Sequence, residues 1–164
     1  MKVLAINGSA RKDGNTAIMV RAVFDELESE GIETQMEQLG VTKITGCTAC
    51  YECFKRKDRR CAVKKDGLNA LIELMLDADG IILASPTYFA DATAGMRAVI
   101  ERAGMVARAC ENMFARKAGA GIVTMRRGGG IQAFNTLNSF FLVSEMVVAG
   151  SSYWNMGFGR DIGQ

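Results

Sequence analysis

The chain has 164 residues, enough for one domain with a substantial core. Hydrophobic residues make up 49% and charged residues 23%, an ordinary globular balance. Twenty basic against eighteen acidic residues leave +2, which argues for neither a nucleic-acid nor a membrane partner, and the lack of histidine removes imidazole catalysis and every His-ligated metal site.

Lys2–Asn7 reads as a short buried strand, stopped at Asn7-Gly8. Its flanks lack the long apolar stretch of a signal peptide, and no run of 18 apolar residues occurs, so a cytoplasmic location is expected. Gly8–Thr16 is a polar loop leading into an amphipathic helix with Val20, Val23, Phe24 and Leu27 on one face and Gly31 at its end. Ile32–Leu39 alternates as a strand covered on one face only. A cysteine-rich loop fills about 40–65, and Asp66 can cap a second helix bearing Leu68, Leu71, Ile72 and Met75. Gly80–Ser85 is a continuously apolar strand, as in the middle of a parallel sheet. Pro86–Asp91 reads as a loop and Met96, Val99, Ile100 and Ala103 as the face of a third helix. Ala118–Thr124 is a fourth strand, Ile131–Val143 a fourth helix with Ile131, Phe134, Leu137 and Phe141 in its stripe, and Met146–Gly150 a fifth strand. Alternating strands and helices mean a single three-layer α/β domain over 1–164. The most polar strand comes second, which places it at an edge and gives a five-stranded parallel sheet of order 2-1-3-4-5. A closing helix after the fifth strand is expected in such a fold and is missing from the glycine-rich last stretch.

In such a sheet the loop after the first strand is where phosphate binds, against free amides and the positive end of the helix. This loop is neither a Walker A sequence nor G-x-G-x-x-G. It offers hydroxyls (Ser9, Thr16), an amide (Asn15), a guanidinium (Arg11) and the flexible Gly14, a set suited to a terminal phosphate, although an ordinary strand-to-helix turn would look similar. Ser85-Pro86-Thr87-Tyr88-Phe89 ends the third strand with two aromatics, suited to stacking on a flat ring or to plugging the sheet. Thr124-Met125-Arg126-Arg127-Gly128-Gly129-Gly130 lets backbone approach a ligand, with arginines that face either the ligand or solvent.

Four of the five cysteines, Cys47, Cys50, Cys53 and Cys61, lie within fifteen positions. Three readings are open: an iron–sulfur cluster, free thiols or a labile disulfide, and zinc. A third cysteine at the same two-residue gap favours iron–sulfur over zinc, which usually takes two separated knuckles. Seven basic residues against Asp58 lie between Cys53 and Asp66, a charge balance that would stabilise a reduced, more negative cluster and attract an acidic electron carrier.

Gly8–Thr16, Ser85–Phe89 and the glycine triplet together resemble the NADPH-dependent FMN reductase-like branch of the flavodoxin superfamily, and the cysteine spacing resembles that of iron–sulfur flavoproteins. The resemblance implies a flavodoxin-like fold with FMN held by Ser9, Arg11, Gly14, Asn15 and Thr16. It implies that Ser85, Pro86, Thr87, Tyr88, Phe89, Thr124, Arg126, Gly128 and Gly129 frame the flavin ring. It further implies a 4Fe–4S cluster on Cys47, Cys50, Cys53 and Cys61, an electron carrier such as ferredoxin as donor, a small-molecule acceptor, and a homodimer or homotetramer. The alternative is an NAD(P)H-dependent FMN or quinone reductase without a cluster. A flavodoxin-type one-electron carrier is disfavoured by Arg11, Arg126 and Arg127 on the flavin loops, and a zinc-stapled binding module comes last.

Overall fold

The computed structural model describes residues 1–40 and 43–164, so the part of the expected cysteine-rich loop at 41 and 42 lies outside the described residues. In chain order the elements are β1 (Lys2–Asn7), α1 (Asn15–Ser29), β2 (Glu33–Gln38), α2 (Glu52–Arg56), α3 (Leu68–Asp77), β3 (Gly80–Tyr88), β4 (Asp91–Ala92), α4 (Ala94–Ala109), β5 (Ala118–Met125), α5 (Gly130–Val143), β6 (Val147–Val148) and β7 (Met156–Phe158). Parallel pairing runs β2-β1-β3-β5-β6, which is the expected 2-1-3-4-5 order once the small antiparallel β4 is set aside. Register aligns Asn7 with Ala84 and Pro86 with Thr124, so the carboxyl ends of the three central strands finish side by side. No helix is long and apolar enough to cross a membrane among the described residues.

Period-two alternation along the central strands divides the core between the two faces. Leu4, Ile6, Ile81, Leu83 and Val123 point to the side covered by α3, α4 and α5, while Ala5, Ile82, Ala84 and Ile122 meet Val20 and Phe24 of α1. Strand β5 brings glycine to the α5 face. A Cβ on Gly119 would lie 2.8 Å from Cδ1 of the fully buried Phe141, so the bare backbone is what lets that ring lie on the sheet.

Several sequence expectations are corrected. The fifth strand, expected over Met146–Gly150, is split. Val147–Val148 pairs with the start of β5, residues 149–155 leave the sheet, and Met156–Phe158 returns beside the end of β5. The intervening Ala-Gly-Ser-Ser has little strand preference, whereas the apolar pieces on either side regain ladder bonds. Third-strand pairing continues past Ser85, and the expected Pro86–Asp91 loop is a hairpin in which Thr87 pairs Ala92. Its two turn residues, Phe89 and Ala90, have φ of 49° and 67°, the left-handed geometry of a tight hairpin turn in residues that carry no glycine or asparagine signal. Gly67, not Asp66, takes the cap position of α3. Asp66 is drawn away by an ion pair with Arg102, although its carboxylate still accepts from the Leu68 amide at 3.4 Å. Strand β2 is half-buried along both faces, with Met36 packed beneath α1.

Candidate functional site

The three aligned strand ends support the first candidate site. Gly8 donates its amide to Ala84 at 2.8 Å, and its carbonyl accepts from the Thr93 hydroxyl at 3.0 Å. A Cβ at Gly8 would lie 2.9 Å from that same hydroxyl, so glycine is what allows the first loop to cross the strand ends so closely. Ser9 is pinned by its amide on Asn7 Oδ1 (3.0 Å), and its own Oγ accepts from the Arg11 amide at 3.0 Å, which curls the loop inward. Gly14 occupies the N-cap position of α1 and supplies no side-chain cap, leaving the first-turn amides for an outside acceptor.

The cavity formed here holds about 320 Å³, within the range of small-molecule sites. Of the residues expected around a flavin, Ser9, Arg11, Gly14, Asn15, Thr16, Pro86, Thr87, Tyr88, Thr124 and Arg126 line it. Thr16 and Thr124 share a buried hydroxyl–hydroxyl bond of 2.8 Å that ties the helix start to the end of β5. Beside them Thr87 Oγ1 is buried and has no hydrogen-bond partner among the described residues. An orphaned hydroxyl in a pocket with a guanidinium and free helix amides is the signature of a polar ligand's place, and the donor set fits the phosphate of FMN.

The other four expected residues lie elsewhere. Ser85 is fully buried, its hydroxyl donating to the Pro86 carbonyl and accepting from the Thr93 amide. Phe89, at the hairpin tip, is fully exposed and borders a groove facing Ile44–Gly46. Gly128 and Gly129 line an adjoining cavity of about 410 Å³ with Tyr153, Trp154 and Phe158. Gly129 has φ of 84°, and a Cβ there would lie 2.8 Å from the Ala90 Cα, so it locks the glycine turn against the hairpin. Sequence reasoning missed Met125, Gly159 and Arg160 in the first cavity. The last two arrive because the tail folds back on α1: Asn15 Nδ2 donates to the Asp161 carbonyl (3.0 Å) and Asn15 Oδ1 accepts from the Gly163 amide (2.8 Å). The glycine pair flanking Phe158, followed by arginine, is the one local trace of that approach.

The second candidate site lies in the cysteine loop. Ala49, Tyr51, Lys57 and Arg59 all have positive φ, so this backbone is coiled tightly without glycine. The coil brings Cys47, Cys50, Cys53 and Cys61 to the lining of one pocket, closed from below by Arg102, Met105 and Val106 of α4. All four thiols are free, Cys47 and Cys50 exposed and the other two partly buried. A hydrogen bond from the Glu52 amide lowers the Cys50 pKa below the usual thiol value, whereas burial pushes that of Cys53 up. Among the described residues no three cysteine or carboxylate side chains converge on a point suited to a single metal ion. The pocket interior, about 20 Å³, has room for roughly one water. Four thiols around one pocket match the donor set of a cubane cluster, which needs more room than the pocket offers as it stands. Cys61, despite its long spacing, is the most firmly held. Its amide donates to Asn69 Oδ1 at 2.7 Å, its carbonyl accepts from Asn69 Nδ2 at 3.1 Å, and its sulfur accepts from Arg102 Nε and Nη2 at 3.4 and 3.3 Å. Three of the loop's basic residues are offset by ion pairs, Lys55–Glu52, Arg56–Asp58 and Arg60–Glu73.

A doubly wound sheet with an anion-ready loop at its strand-order switch defines a flavodoxin-like α/β protein. The NADPH-dependent FMN reductase family matches residues 1–161, and the chain belongs to that family. An iron-sulfur flavoprotein of Methanocaldococcus jannaschii is 31% identical over 166 residues, covering 98% of this chain and 84% of the relative. Among solved structures, a flavone reductase superposes with a TM-score of 0.71 at 19% identity, covering 96% of this chain but only 54% of the other. A flavodoxin from the domain Archaea gives a TM-score of 0.62 at 18% identity, covering 98% of this chain and 87% of the other. At these identities the two structures speak for the fold.

Proposed function

We propose that the chain is a redox flavoprotein holding FMN at the Gly8–Thr16 loop and one 4Fe–4S cluster at Cys47, Cys50, Cys53 and Cys61, taking electrons from a carrier such as ferredoxin and delivering them to a small-molecule acceptor. The observation that carries this reading is the gathering of all four cysteines on one pocket, with a buried guanidinium on the sulfur of the last. Bound there, the cluster supplies one-electron and the flavin two-electron chemistry. The protein's own work is placement. Arg11 and the first-turn amides of α1 hold the phosphate, Thr87 gives a hydroxyl to the ligand, and Pro86 and Tyr88 set the wall against which a flat ring lies. The curated relative named an iron-sulfur flavoprotein supports the cluster assignment. Exposed Leu142, Val143, Val147 and Trp154 support the accompanying proposal of a homodimer or homotetramer, and a cytoplasmic setting accords with free thiols.

The test is the iron, sulfide, zinc and flavin content of anaerobically purified protein. About four irons and four sulfides beside one FMN are expected, the makeup of one cubane cluster per chain. FMN without iron would move the protein to the second reading, an NAD(P)H-dependent FMN or quinone reductase. That reading is favoured by the aromatic cavity under Tyr153 and Trp154, which adjoins the first pocket through Met125 and is roomy enough for a second flat ring. Rapid bleaching of the flavin by NADPH would support it.

A further inference from the structure

Arg102 is the one charged side chain among the buried described residues, at 2% exposure. Its fork is fully used. Nη1 pairs with Asp66 and donates to the Thr45 carbonyl at 3.2 Å, Nη2 donates to the Val63 carbonyl at 3.4 Å, and Nε and Nη2 together take the sulfur of Cys61. A neutral thiol is a poor acceptor, and offering it two donors of a buried guanidinium recovers little of the desolvation cost. An anionic sulfur, as in a metal-bound thiolate, makes the same two bonds strong. The carboxylate of Asp66 engages the guanidinium chiefly through Nη1, leaving the other edge aimed at sulfur.

Resting on the cluster reading above, we propose that Arg102, oriented by Asp66, is the positioning residue that holds Cys61 as the fourth ligand and raises the reduction potential of the cluster. The guanidinium lies 3.3–3.4 Å from a sulfur that gains negative charge when the cluster accepts one electron from a donor, a step in which no bond is made or broken. Cationic hydrogen bonding to that sulfur favours the reduced state. Asn69 fixes the Cys61 backbone independently, so the sulfur contact can be altered without releasing the loop.

The experiment compares wild type with Arg102→Lys, Arg102→Gln and the double variant Asp66→Asn/Arg102→Gln, all purified anaerobically with both cofactors. The double variant leaves no unpaired buried charge, so it is read if the single Gln variant fails to fold. Readouts are circular dichroism, FMN and iron content, and the midpoint potential from a dithionite titration followed by electron paramagnetic resonance. Folded Gln variants that keep FMN are expected either to lose iron or to show at least a tenfold fall in the reduced-to-oxidised ratio at fixed potential, about 59 mV for one electron. Arg102→Lys, which keeps a charge but not the paired donors, should fall between. Full iron with an unchanged potential in the folded variants overturns this proposal alone. Wild-type protein with no iron overturns the cluster reading and this proposal with it.

Discussion

Asp66 shows how a partly buried charge depends on a buried one. Burial alone would raise its carboxyl pKa, but the hydrogen bond and charge of Arg102 outweigh that and hold it below the usual carboxylate range. Because the folded value is depressed, the stabilisation is fully present above the unfolded value of about 4 and is lost as pH falls through the folded one. Asp66→Asn leaves the guanidinium buried without its counter-ion, which costs about 3–5 kcal/mol where such pairs are broken. Urea unfolding at pH 7 should therefore show a large loss for Asp66→Asn, and the difference from wild type should shrink between pH 4 and pH 2. Equal midpoints at pH 7 would mean the pair contributes nothing to stability. Arg11 lines the cavity at the Gly8–Thr16 loop, and on the proposed function it contacts a ligand there. Arg11→Ala should weaken FMN by on the order of tenfold or more while leaving riboflavin, which lacks the phosphate, unchanged, because only the charge-assisted phosphate bond is removed. Equal losses for both flavins, read by fluorescence titration, would place Arg11 on the ring instead.

Elements whose pattern is local were legible in the sequence, and those fixed by remote packing were not. Lys2–Asn7 and the Leu68, Leu71, Ile72, Met75 stripe of α3 follow from periodicity, and both lie in the core. The Gly8–Thr16 loop was readable because its donor groups and its place after the first strand are both local. Splitting of the fifth strand was hidden, since pieces of two and three residues carry no period, and their pairing is decided by β5. The approach of Gly159 and Arg160 to Asn15 depends on chain more than 140 residues away. Arg102 left a trace that periodicity shows in hindsight: it falls three residues after Val99 and four before Val106, on the buried face of α4. Element packing also makes a contrast testable on β5. Gly119→Ala would drive a methyl into Phe141, which is fully buried and has nowhere to move, at a cost of about 1–3 kcal/mol. Gly121→Ala meets Phe134 at 3.4 Å, and that ring is only partly buried and can give way. Thermal unfolding should show Gly119→Ala well below wild type and Gly121→Ala close to it; matching losses would mean that the two ends of the apolar stripe of α5 pack with equal rigidity.

The two candidate sites rest on separate supports. The cysteine pocket rests on its own loop and α4, the pocket at the Gly8–Thr16 loop on strand ends and the first turn of α1. Between them Ile44–Gly46 faces Tyr88 and Phe89 across an open groove, and Tyr88 lines both this groove and the Gly8–Thr16 pocket. Among the described residues no cysteine lines the Gly8–Thr16 pocket, so on the proposed function changes at the exposed thiols should reach the flavin through electron supply and leave its binding alone. A Cys47→Ser/Cys50→Ser variant is therefore expected to lose iron, keep one FMN per chain and bind it with wild-type affinity. Its flavin should be reduced slowly by reduced ferredoxin but no more slowly than wild type by NADPH. Loss of FMN together with iron would show that the two sites fold as one cooperative unit. Undiminished reduction by ferredoxin would show instead that electrons reach the flavin without passing the cysteine loop, leaving Tyr88 and the open groove as the surface where a carrier meets the ring.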